Sequence, residues 1–163
     1  MSLLWAPSAK DSIVATTPAV VLGVPMPNTI RKVSYAYVTA ASKPGEAARI
    51  LQALRDANVN LLAFSGFPQG RSKAQIDVVT DDLDALKGVA RRQKWKLSRI
   101  KRAFLVQGTD QAGAAVAPLA KLGAANINVI AADAIAAGEG RFGMIFWVEV
   151  RSYNRAATLL GAA

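Results

Sequence analysis

Ser42-Lys43-Pro44-Gly45-Glu46, with Ala57-Asn58-Val59-Asn60-Leu61 a short distance on, comes back later in the chain in altered form. The second version is Asp110-Gln111-Ala112-Gly113-Ala114 followed by Ala125-Asn126-Ile127-Asn128-Val129. Gly45 to Gly113, Leu54 to Leu122 and Asn60 to Asn128 are each 68 positions apart. The same offset joins Gly70 to Gly138 and Ile76 to Met144. A constant period over about forty positions is what a structural unit used twice leaves in a sequence.

Outward from the first turn, Val33 to Thr39 is rich in β-branched and aromatic residues and reads as a strand. After the turn, Ala47, Ile50, Leu51 and Leu54 fall on one helical face, and Asn58 suits a left-handed stop. Leu61 to Phe67 and Ala74 to Thr80 read as two strands joined at Pro68-Gln69-Gly70. Asp81 or Asp82 caps a helix striped by Leu83, Leu86, Val89 and Ala90, and Trp95 to Ile100 closes the unit as a last strand. This β-α-β-β-α-β order is the split pattern of ferredoxin-like folds. The second unit repeats it with strands at Ala103–Gln107, Val129–Ile135 and Phe142–Val150. Pro118 predicts a kink or a late start in its first helix. Ser152 is placed to cap a final helix, Tyr153 to Leu160, that Gly161 stops.

The expectation is therefore an α+β protein of two ferredoxin-like βαββαβ units in tandem, antiparallel sheets with helices on one face. Residues 1–30 form an N-terminal arm, 31–101 the first repeat, and 102–163 a second whose last strand is missing. Ala19 to Val24 is a candidate to fill that gap. In the second hairpin, Ile145 and Trp147 point away from the helices, a patch that predicts a cover from the arm or another chain.

The 163 residues contain no cysteine and no histidine. Disulfides, thiolate nucleophiles, histidine bases and Cys-type metal sites are thereby excluded. The carboxylates Asp77, Asp133 and Glu149 stand apart in sequence, and no glycine spacing marks a nucleotide loop. The chain reads as no enzyme, without cofactor or metal. Hydrophobic residues make up 52%, slightly rich for a soluble monomer, and so argue for further apolar surface to bury. No apolar run reaches membrane length and no signal pattern opens the chain, which predicts a cytoplasmic protein with no membrane partner.

The turn, helix and Asn-aliphatic-Asn strand start together resemble the ACT domain, and the second set resembles another copy. The resemblance spans about residues 31 to 160. Ser42 stands where an acid is usual, Ala112 replaces the usual proline, and Ala57-Asn58 and Ala125-Asn126 replace the usual glycine. The resemblance implies a stand-alone regulatory module that binds a small molecule, most often an amino acid, between paired domains. Carried over position by position, it implies ligand-binding roles for Ser42, Lys43, Gly45 and Asn60, and for Asp110, Gln111, Gly113 and Asn128. It also implies a homodimer and an unidentified regulated protein. The chemistry is coherent, because a helix N-terminus behind a glycine turn favours a carboxylate.

Two other readings stay open. Eight cations from Lys87 to Arg102 occur with no acid between them, and the formal net charge is +9. Such a run suits a phosphate backbone, but it suits a solvated helix end better, so nucleic acid is the less favoured partner. The third reading is a structural adaptor that has lost its ligand.

Overall fold

The computed structural model describes residues 28–163. Strand β1 (Thr29–Ala41) leads through the first turn to helix α1 (Glu46–Asp56). Then come β2 (Ala63–Gln69), β3 (Lys73–Val79) and α2 (Leu83–Arg92). The order starts again with β4 (Lys101–Thr109), α3 (Val116–Ala124), β5 (Val129–Gly138), β6 (Arg141–Val148) and α4 (Tyr153–Leu160). The strands form one six-stranded antiparallel sheet in the order β2-β3-β1-β4-β6-β5, so the two sets of three join side by side.

The join has a centre. Tyr35 pairs with Lys101 and Val33 with Ala103, while Ser34 faces Arg102, its own counterpart 68 positions on. The β1–β4 register is thus two-fold about the Ser34–Arg102 pair, with five paired positions on one side of it and one on the other. That pairing also takes the place of the closing strand expected at Trp95–Ile100, which makes only an isolated bridge from Leu97 to Val38. The slot beside β1 belongs instead to Lys101–Gln107 of β4. Reciprocally, β1 sits where the second half lacked a strand. Ala19–Val24, the other candidate for that gap, lies outside the described residues. Ala163 lies along the other edge of β1, Lys32 N–H donating to its carbonyl at 2.8 Å.

Local chemistry sets the element ends. Asn58 and Asn126 both take left-handed φ of 54° and stop α1 and α3. Asp82 caps α2, its carboxylate accepting from Ala85 N–H at 2.8 Å. Helix α3 starts late, at Val116, which places Pro118 third in the helix, where a missing N–H breaks no bond. Ser152 makes no side-chain cap, contrary to expectation; a 3-10 turn over Val150–Ser152 leads into α4 instead.

Even-numbered β1 residues face the helices. Ala36 and Val38 pack with Ile50, Leu54, Ile76, Val78, Leu86 and Val89 in the first half. Phe104, Val106, Leu122, Met144, Phe146 and Tyr153 form the matching core in the second. The opposite face is also buried: Val33, Tyr35, Val79, Ala103, Leu105, Ile145 and Trp147 pack together with Leu62 and Ala63. Ile145 and Trp147 do point away from the helices, but they are only 5% and 7% exposed. The sheet curls far enough for its two outermost strands to touch, Ser65 Oγ donating to Asp133 Oδ2 at 2.8 Å. Among the described residues, the cover over this patch is the curled sheet itself.

Candidate functional site

The first turn is built by Gly45 at φ 86°, a backbone shape that L side chains resist. Ser42 N–H is tied to the Ser72 carbonyl at 2.9 Å, which fixes the turn against the β2–β3 connection. Gly45 then serves as the N-cap of α1, with no side chain capping the helix. A cavity of about 320 Å³ opens here, walled by Ser42, Lys43, Pro44 and Glu46 and floored by Ala47 and Ile76. Glu46 lies 3.6 Å from Lys43 Nζ and accepts from Arg49 at 3.0 Å. The Arg49 hydrogen bonds hold the Glu46 carboxyl below the usual carboxylate range. Opposite charges over an apolar floor can receive both ends of a zwitterion.

The second turn repeats the anchoring bond, Asp110 N–H to the Gly140 carbonyl at 2.8 Å, and Gly113 has φ 80°. Its chemistry differs. Gln111, Ala114 and Ala117 stand where Lys43, Glu46 and Arg49 do, so no ion pair is built there. Asp110 is exposed, as are Gln111 and Gly113.

Ser42, Lys43 and Gly45 come together at one turn, and Asp110, Gln111 and Gly113 at the other. The structure does not bring the two turns together. β1 and β4 run antiparallel, so the turns leave the sheet at opposite ends. Asn60 and Asn128 lie exposed just before β2 and β5. Each is separated from its own turn by a helix; for α1, 11 residues give about 16 Å. The Asn60 carbonyl is engaged by the Thr80 hydroxyl at 2.8 Å.

Glu46 was not among the expected site residues, although its place directly after the turn glycine marks it as a first-turn acid. Asp77, an isolated carboxylate in the sequence, gains neighbours in the fold. On the concave face of the sheet Asp77 is 3% exposed and accepts from Gln75 Nε2 at 2.8 Å. Burial raises its pKa. Tyr35 beside it is pushed up to about 12, by burial first and then by the Asp77 charge. Lys101 Nζ lies 5.8 Å and 5.0 Å from the ring centres of Tyr35 and Tyr37. Only β-strand alternation hinted at this grouping.

No family model matches the chain, and no curated protein does. Solved structures do. Protein BT0572 from Bacteroides thetaiotaomicron superposes with a TM-score of 0.66 at 15% identity, over 82% of this chain and 88% of that one. The ligand-free regulatory subunit of aspartate kinase from Thermus thermophilus gives 0.54 at 16%, over 82% and 94%. A structure of aspartokinase alpha and beta subunits gives 0.51 at 19%, over 81% and 94%. At such identities the likeness is one of fold. This chain has the α+β, ACT-like architecture of aspartate kinase regulatory subunits.

Proposed function

We propose that the chain is a non-catalytic regulatory module, two ACT-like repeats that bind an amino acid and convert binding into altered association. The observation that carries the reading is the first-turn cavity, where Lys43 and Glu46 flank an Ile76 floor. An amino acid's carboxylate is stabilised by Lys43 and the positive end of α1, and its ammonium by Glu46. Its side chain lies on Ala47 and Ile76. At the second turn Asp110 would take the ammonium, and the backbone at Gly113 the carboxylate. Asn60 and Asn128 are each a helix length from their own turn and do not join it within one chain. A second copy that lays its asparagine against the first copy's turn completes the site, which is why the reading includes a homodimer. The fold shared with a regulatory subunit of aspartate kinase supports it.

A thermal-shift screen of the twenty amino acids tests this. At a hundredfold excess over Kd, one or a few should stabilise by about 2.7 kcal/mol, a melting-temperature rise of roughly 5–10 °C. Lys43→Ala should cancel the rise if the first turn is the site. A screen with no amino acid raising the midpoint removes the reading.

A further inference from the structure

We propose that the groove at the end of α2 binds a single-stranded nucleic acid through its phosphates. Of the eight cations from Lys87 to Arg102, the fold takes up two. Lys101 covers the tyrosines of β1, and the Arg102 guanidinium lies 4.1 Å from the centre of the Tyr153 ring. Arg91, Arg92, Lys94, Lys96 and Arg99 stay exposed, and Lys87 pairs with Asp84 at 2.9 Å.

The groove itself comes from how α2 ends. Lys94 adopts a left-handed φ of 55°, and Trp95 N–H returns to the Ala90 carbonyl at 2.9 Å. The chain folds back under the last turn and places Trp95 beside it. Lys87 and Arg91 are one turn apart on α2 and share one face, and Lys94 lies just past the end of the helix. With Lys96 they surround a half-buried floor of Trp95 and Leu97, in a space of about 540 Å³. The floor is held in place. Leu97 bridges to Val38, and Arg49 of α1 stands 6.0 Å from the centre of the Trp95 ring.

Charge and shape choose the occupant. The lining carries four cations and no carboxylate. Unlike the Lys43–Glu46 turn it offers nothing to the ammonium of a zwitterion, and it suits a purely anionic guest. A polymer lying across it needs no enclosure. Arg92 and Arg99, next to the groove residues in sequence, are exposed as well, and such a cluster of cations suits a strand carrying one charge on every unit. Proteins that hold single strands combine a basic track with an aromatic ring, and both are present here.

The test is fluorescence anisotropy with a labelled oligothymidylate of about fifteen nucleotides, across a salt series. One variant carries Arg91→Glu, Lys94→Glu and Lys96→Glu. A control with the same net charge carries Arg71→Glu, Lys121→Glu and Arg141→Glu, all exposed positions elsewhere. Circular dichroism verifies that both fold. Binding should weaken steeply with salt, fall at least about thirtyfold in the groove variant, and change less than about threefold in the control. Equal losses in both variants, no binding at low salt, or tighter binding of a polyglutamate competitor overturns the proposal. None of these outcomes bears on the amino-acid screen.

Discussion

The two halves share one backbone plan and fill it differently. Position for position, Ala36 and Val78 of the first half stand where Phe104 and Phe146 stand in the second. On the helices the direction is mixed: Ile50 becomes Pro118, while Leu54 and Leu122 match. The last helix shows that one residue has dropped out of the second half. Lys94 and Gly161, both left-handed, are 67 apart, and Trp95 N–H to Ala90 O recurs as Ala162 N–H to Ala157 O. With that shift the buried Leu86 and Val89 correspond to Tyr153 and Ala156. The first half therefore fills its core with aliphatic groups spread over strands and helices. The second concentrates volume in four rings, Phe142 and a stack of Phe104 on Phe146 at 5.2 Å and on Tyr153 at 4.7 Å. Packing conserves volume and pattern rather than residue identity.

That contrast is open to direct attack. Phe146→Ala opens a ring-sized hole in a fully buried stack and should cost about 3–5 kcal/mol in urea denaturation. Val78→Ala, its counterpart, removes two methyl groups and should cost about 2 kcal/mol. Equal costs would mean that the rings do not carry the second core.

The opposite face offers a smaller contrast. Asp77 occupies the place that Ile145 holds in the second half. Burial raises the Asp77 pKa in the folded state, so the folded chain holds its proton more tightly than the unfolded chain does. Stability from this group is therefore full below the ordinary carboxyl range and is lost as pH rises through the raised value. Asp77→Asn keeps an acceptor for Gln75 and cannot ionise. The variant should match the parent in acid and gain on it toward neutral pH. Lys101, Asp133, Tyr35 and Tyr37 are present in both proteins, so the difference between their urea curves reports the Asp77 carboxyl together with its coupling to these neighbours. A difference that stays flat with pH would show that Asp77 titrates alike folded and unfolded.

Much of this was legible locally. The glycine turns, the helix stripes and the asparagine stops each depend on a few neighbouring residues, and Asn58 and Asn126 behave alike to the degree. The seam was not legible, because β1 and β4 are distant in sequence and carry no pattern that distinguishes pairing with each other from pairing with a closing strand. Alternation told correctly which way Trp147 points. It could not tell that the sheet curls enough to bury it, since curvature is a property of six strands together. For the site, the turns were readable, but their placement at opposite ends follows from the antiparallel seam and was hidden with it.

The mildest contrast concerns where the first helix of each half begins. α1 starts at Glu46, directly after its glycine, whereas α3 starts at Val116, two residues later than the matching Ala114. Pro118 suffices as a cause, since in a helix starting at Ala114 it would sit at the fifth position, where it removes a hydrogen bond and crowds the carbonyl one turn back. Pro118→Ala restores the N–H and raises helix propensity, but it also frees the unfolded chain, so the net change in stability should stay within about 1 kcal/mol. The informative measurement is amide exchange. If proline sets the boundary, the N–H that the substitution introduces is protected by the Ala114 carbonyl and α3 gains part of a turn. If the Asp110–Gly113 turn sets it, that new amide exchanges as freely as its first-turn neighbours, and the two halves differ at their turns by construction of the loop rather than by one ring.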